Sequence, residues 1–281
     1  MIAQYETPEV HEKVTLPSVT RASDGVRANL SKLIAALVVE FRLLRAERSL
    51  VVIVPLAVFI SILDLAFWKV APVVSYSATY AGSTATTMLP FLIGMTVFYT
   101  SEAMHRDRET MIEPLLWSAP VANPVMWLSK FLATLLLTLS LVVSVGLMAI
   151  VIQLIKGDAP VEIPAYLIVY SVVLLPSIVF MAAAATALNV LLRDKYLTYA
   201  VSIVTASGLF YLYNQGYNHW LYNPLLFRLW SYVDLTSGRI LTYRIYCLAL
   251  TGLCLAVAHL CFQRGSGRGS LREGSSRISS K

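Results

Sequence analysis

The chain has 281 residues, of which 57% are hydrophobic and 14% charged, with a formal net charge of +6. Soluble domains carry about 45–50% apolar and about 25% charged residues, so an ordinary soluble protein is excluded. The basic surplus does not form a patch of the kind that holds nucleic acid. Its residues flank apolar runs, which excludes nucleic acid as a partner and points to anionic lipid headgroups and the bilayer.

Six runs are apolar enough to be spans: Leu50–Trp68, Ala85–Tyr99, Leu128–Ile155, Ala165–Leu192, Leu197–Tyr213 and Tyr243–Phe262. A helix needs about 20 mainly apolar residues to cross about 30 Å of hydrocarbon. The expected fold is therefore all-α and integral to the membrane, with six transmembrane helices. Seventeen of the 22 Lys and Arg residues fall in alternate gaps, counting the two tails and counting Lys130, at the very start of the third run, with the gap before it. Positive loops stay cytoplasmic, so both termini are expected inside. A long, mostly polar stretch precedes the first run, so no signal peptide is expected, and the chain is placed in an inner or plasma membrane.

Residues 1–26 carry mixed charges and two prolines and read as a flexible cytoplasmic tail. In 27–48, Leu30, Leu33, Ile34, Leu37, Val38, Phe41 and Leu44 recur at steps of three and four, and most charges fall elsewhere. That pattern predicts an amphipathic helix lying in the cytoplasmic interface. A six-span domain follows over 49–262. Its first outward gap, Lys69–Thr84, is rich in Ser, Thr and Tyr. A charged cytoplasmic stretch, Glu102–Glu113, separates the second span from the third. Gly157, Pro160 and Pro164 mark a brief outward loop. Pro176 sits in the middle of the long fourth run, where it should kink the helix. The run Ala182–Ala187 suits close packing against a neighbour. Arg193–Tyr196 is a tight inward turn. Asn214–Thr242 is dense in aromatic residues and reads as short helices dipping into the outer interface. Cys247, Cys254 and Cys261 share one face of the last span and read as packing residues. Residues 263–281 are Gly, Ser and Arg, a disordered cytoplasmic tail.

No catalytic constellation is present, so no enzyme is expected: GxxxxGK[ST], HExxH and GxSxG are all missing. The glycine cluster Gly265-Ser266-Gly267-Arg268-Gly269 follows no strand and cannot serve as a phosphate cradle. Asp64 and His259 are the ionisable residues singled out within the runs, each near an interface. A proton- or sodium-coupled carrier needs ion sites near the midplane. Without them, any energy for transport should arrive from outside the chain.

One loop looks built to receive it. Charges of both signs (Glu102, Arg106, Arg108, Glu109, Glu113) precede an apolar group (Leu115, Leu116, Trp117), and Pro114 and Pro120 cut the stretch into short pieces. By pattern alone this is either a docking piece for a soluble partner or a solvated loop with internal ion pairs. The stretch E-x-x-x-R-x-R-E-x-x-x-E-x-L-L-x-x-x-P-V, followed by Lys130-Phe-Leu-Ala133, resembles the permeases of type-2 ATP-binding-cassette (ABC) exporters. The likeness extends over about 27–262. It departs at Thr110-Met111-Ile112, where many members carry glycine and threonine, and by one extra residue before Pro120.

That resemblance implies a coupling helix between spans two and three, seated on a separate ATPase subunit that carries the ATP and Mg. It implies contact of the interfacial helix with that subunit, and outer re-entrant helices between spans five and six. It also implies a second permease chain, alike or a sister. Glu102, Arg106, Arg108, Glu109 and Glu113 would make the polar coupling contacts, and Leu115, Leu116 and Pro120 would shape the apolar end of the piece. No cofactor or metal is expected in this chain. A self-contained secondary transporter or channel, and a membrane anchor or assembly subunit without transport, stay open as other classes.

Overall fold

The computed structural model describes residues 25–67, 76–113, 116, 121–157, 160–217, 219, 221, 223–225 and 238–262. Every regular element among the described residues is helical: α1 (Val26–Arg45), α2 (Leu50–Phe67), α3 (Tyr76–Glu109), α4 (Asn123–Lys156), α5 (Ile163–Leu192), α6 (Lys195–Asn214) and α7 (Gly238–Cys261). Five of them, α3 to α7, are long and apolar enough to cross a membrane. The count rises to six when the bent pair of α1 and α2 is taken as one span. Number and composition suggest a multi-pass membrane protein. The tails up to Asp24 and from Gln263, most of the outward segment in which re-entrant helices are expected, and Leu115 and Pro120 of the expected coupling piece lie outside the described residues.

α1 ends in an elbow and turns 75° into α2. Its Leu37, Phe41 and Leu44 pack on the bundle, while Leu30, Ile34 and Val38 stay exposed on another side. The amphipathic spacing thus divides into two apolar lines. The Ser49 and Tyr99 hydroxyls, 2.8 Å apart, pin the elbow to α3.

α3 and α4 are each 34 residues long. At 1.5 Å per residue each runs about 51 Å, some 20 Å more than the hydrocarbon is thick. The sequence placed the second span at Ala85–Tyr99, yet the helix starts nine residues earlier, at Tyr76. The Ser and Thr residues that made this stretch look like a loop are satisfied inside the helix. Thr84 Oγ1 donates to the Tyr80 carbonyl (3.0 Å), and Thr86 Oγ1 to that of Gly82 (2.8 Å). Ser83 and Thr87 both donate to Asp64 Oδ2 of α2 at 2.9 Å. At its other end α3 runs through the charged residues to Glu109, since nothing from Ser101 onward breaks a helix. Gly157 closes α4 in the left-handed region (φ 67°), as its placement in the sequence predicts.

α5 is interrupted where Pro176 lies. A π-helical turn, Tyr170–Leu174, directly precedes the proline's segment. Pro176 has no N–H to offer, and its ring crowds the carbonyl four residues back, so the ladder widens there. The Tyr170 ring crosses α4 at Gly146, where a Cβ would sit 2.8 Å from Cε2, and its hydroxyl lies 2.8 Å from Thr84 Oγ1 of α3. Absence of a side chain at 146 therefore lets one tyrosine tie three helices. The alanine run is buried at 182, 183, 185 and 187, and α7 packs closely on α5, with Cys247 inside the contact. α6 is held differently. Only Thr198, Ser202 and Ala206, four residues apart, are fully buried; Tyr199, Leu209 and Phe210 pack partly on the core, and most of the other residues are exposed.

Candidate functional site: the ion-pair network at the basic end

The elbow, the end of α3, the start of α4, the α5–α6 turn and the end of α7 share one end of the bundle, here called the basic end. Its centre is Lys130, two residues into the third apolar run. The ammonium reaches Asp107 Oδ2 (2.7 Å), Glu40 Oε1 (3.2 Å) and the Ala103 carbonyl (2.5 Å), which uses all three of its donors. The other carboxylate oxygen of Glu40 pairs with Arg106. Two acids and two bases from α1, α3 and α4 thus form a neutral group, with Lys130 only 8% exposed. Such charges are screened little by salt, and each depends on the others for its solvation.

A second group joins α3 to α6. Lys195 Nζ lies 2.7 Å from Glu102 and 2.9 Å from Glu109, two turns apart on α3, and Tyr199 Oη also donates to Glu102 at 3.4 Å. A third closes the tip. Arg108 Nε pairs with Glu113 (3.1 Å), and Nη1 donates to the Arg193 carbonyl at 3.2 Å, between α5 and α6. Just past Glu109 the chain reverses through Met111 in the left-handed region (φ 57°), with Ile112 N–H donating to the Asp107 carbonyl. Met111 is 85% exposed, and Ile112 beside it is exposed too.

Between the ends of α3, α4, α5 and α7 lies a cavity of about 60 Å³, lined by His105, Asn189, Trp127, Leu116 and Phe262 among others. His105 Nε2 is 3.1 Å from Asn189 Oδ1, and the Asn189 amide donates to Ser101 Oγ (3.0 Å) and to the Ala185 carbonyl (2.8 Å). This chain of contacts fixes α3 to α5 below the charged layer. Among the described residues no group of three or more His, Cys, Asp or Glu side chains is placed to hold a metal ion.

All five charged residues singled out in the loop are therefore placed. Glu102 and Glu109 hold Lys195, Arg106 holds Glu40, and Arg108 holds Glu113. Leu116 lines the cavity, its N–H donating to the Ile112 carbonyl at 3.1 Å. The partners Glu40, Asp107, Lys130 and Lys195 were not singled out as site residues. A signal for Glu40 was present: it lies one turn from Leu37 and one from Leu44, on the apolar side of α1, where a lone carboxylate needs a cation. Of the two ionisable residues noted in the runs, Asp64 accepts from Ser83 and Thr87, and His259 is exposed with its ring 6.3 Å from Trp127. Arg244, in the first turns of α7, is the buried intramembrane charge passed over; its Nη1 donates to Ser177 Oγ at 3.3 Å. No family model, curated protein or solved structure matches the chain.

Proposed function

We propose that the chain is the permease subunit of an ATP-driven transporter of the type-2 ABC class, exporting its substrate from a cytoplasmic basic end. It works with a separate ATPase subunit, which binds ATP and Mg, and with a second permease chain. The observation that carries this reading is the end of α3. The helix outruns the bilayer, is clamped by ion pairs to α1, α4 and α6, and finishes in an exposed Met111–Ile112 tip flanked by Arg108 and Glu109. A force on that tip passes to three other helices at once. The motif shared with the exporter permeases falls on the same segment. The partner's contact is assigned to the tip and the piece after it, because the charges behind them already serve the bundle. Transport is then a rigid-body movement of helices and involves no covalent chemistry in this chain.

The test is purification of the tagged full chain from its native membrane in mild detergent, assaying for a co-purifying Walker-type ATPase. Reversing Arg106 and Glu109 would be a poor probe, because it also breaks the pairs with Glu40 and Lys195. Met111→Asp with Ile112→Asp alters only exposed side chains. Wild-type chain should capture the ATPase, and the tip variant should lose it while melting at the same temperature. Capture of no ATPase by the wild type, under conditions that preserve other complexes, would overturn the reading in favour of a self-contained transporter.

A further inference from the structure

Beside the elbow, on the outside of the bundle, lies a groove of about 270 Å³. Its floor is Leu137 and Leu141 of α4 with Met95 of α3, and its far wall is Leu50, Val51 and Val54 of α2. Two small residues of α4, Ser140 and Ser144, open it. Their neighbours on the exposed side of α4 (Leu136, Val143, Leu147) are bulky. Both serine hydroxyls donate back into their own helix, to the carbonyls of Leu137 (2.6 Å) and Ser140 (2.9 Å), so the notch has no free hydroxyl donor for an anion and leaves room for an acyl chain.

The mouth is different. Arg45, the last residue of α1, lines it. Arg42 stands one turn earlier and Arg48 in the elbow itself, both exposed. Among the described residues none of the three forms an ion pair, although every cation of the neighbouring network does. One of these unpaired guanidinium groups lines the mouth of an apolar trench running along α2 and α4, and the other two stand within a turn of it in the chain, just before α2 enters its apolar run. A phosphate accepts from guanidinium groups in forked pairs. Two copies of the chain meeting at this groove would instead bring their arginines together, with Glu47 the one acid of the elbow to set against the three.

We infer that the groove is a binding site for one anionic phospholipid of the leaflet at the basic end, its phosphate on the elbow arginines and one acyl chain in the trench between α2 and α4. The lipid braces the elbow against α4 from outside, as the Glu40–Lys130 pair does from inside. This inference stands whether or not the chain is a transporter permease.

The experiment titrates the purified full chain in detergent with phosphatidylglycerol or phosphatidylcholine and counts bound lipids and subunits by native mass spectrometry. One phosphatidylglycerol per chain should bind ahead of all others. Each arginine near an anionic group contributes about fivefold, so the preference over phosphatidylcholine should be about a hundredfold. It should fall to near parity when Arg42, Arg45 and Arg48 all become Gln. Ser140→Phe fills the notch and leaves the arginines in place; it should abolish the single tight adduct. Equal binding of the two lipids by the wild type would overturn the site. So would retention of the tight adduct by Ser140→Phe, which would make the attraction a diffuse surface effect. A fall from dimer to monomer in Ser140→Phe would give the groove to a second copy of the chain and overturn the proposal as well. If Ser140→Phe does not fold, the arginine variant, altered only at exposed positions, still decides.

Discussion

Replacing Lys130 by Met tests whether the network at the basic end holds the bundle together. Methionine keeps most of the side-chain volume, so the change removes the charge and three donor contacts with little loss of packing. Glu40 keeps Arg106, but Asp107 loses the only ion-pair partner it has among the described residues. Leaving a buried charge uncompensated costs about 3–5 kcal/mol. Asp107 is 13% exposed and sits at the rim, so part of that is recovered from water, and about 2–3 kcal/mol is expected. At about 2–4 °C per kcal/mol for a chain of this size, purified Lys130→Met should melt roughly 5–10 °C below the wild type. Asp107→Asn, which leaves Lys130 on Glu40, should cost less. The double variant should melt above the sum of the two single losses, because the amide that replaces the Asp107 carboxylate carries no charge to be stranded when the ammonium is gone. The deficit should persist at high salt, since partly buried pairs are screened little. A Lys130→Met chain melting within a degree of the wild type, or a double variant losing the full sum, would refute the reasoning.

Three further outcomes can be checked alongside. Gly146→Val places a branched side chain where a Cβ already meets the Tyr170 ring at 2.8 Å, and should cost about 1–3 kcal/mol as overpacking, a cost that should shrink when the same change is made in a Tyr170→Ala background and melted against Tyr170→Ala alone. Met111→Gly removes the steric cost, about 1 kcal/mol, that a side chain meets in the left-handed region, so the melting temperature should rise by about 2–4 °C, and any fall would mean that the Met111 side chain makes a contact of its own. Maleimide labelling should separate the cysteines: Cys261, which lines the cavity at the basic end, should react with an impermeant reagent from one side of the membrane only, and Cys247, fully buried against α5, only after denaturation.

The helices were legible because apolarity dominates them. Their ends were not, and the reason differs from place to place. Gly157 stops α4 by conformation and could be read directly. Tyr76–Thr84 could not, because a Ser- and Thr-rich stretch looks like a loop until the receiving groups are known: here the carbonyls of its own helix, and Asp64 across on α2. The kink expected at Pro176 appears as a π-helical turn just before it, since a proline disturbs the carbonyl four residues back. Of the loop charges, the sequence showed that acids and bases were interleaved at positions 102–113, but not that their counterions came from helices up to 93 residues away, such as Lys195 for Glu102. Sequence spacing reports neighbours on one helix, whereas these pairs are made by packing.

The two readings left open for that loop are not alternatives once the pairs are placed. Ion pairs confined to a loop would stiffen the loop alone. Those at the end of α3 run to α1, α4 and α6, so the segment cannot move without them. The three attachments differ in strength. α1 and α4 are joined to α3 by a neutral four-charge group and to each other by an extensive apolar contact that includes Phe41 and Leu44. α6 is joined by Lys195, by Tyr199 (its hydroxyl on Glu102 and its ring stacked on Phe98 at 5.9 Å), by one line of small buried residues, Thr198, Ser202 and Ala206, and by half-buried Leu209 and Phe210, without a neutral charge group or a row of large buried side chains. A displacement of the α3 tip would therefore carry α1 and α4 as one body, and the contact with α6 would give first, pivoting at the two-residue turn Arg193–Asp194. Under the proposed function this makes α6 the helix whose position reports the state of the partner at the tip. Lys195→Met, which releases Glu102 and Glu109 together, should raise hydrogen exchange along α6 while leaving α1 and α4 protected. Equal loosening of all four helices would mean that the bundle answers as a single unit and that α6 has no special freedom.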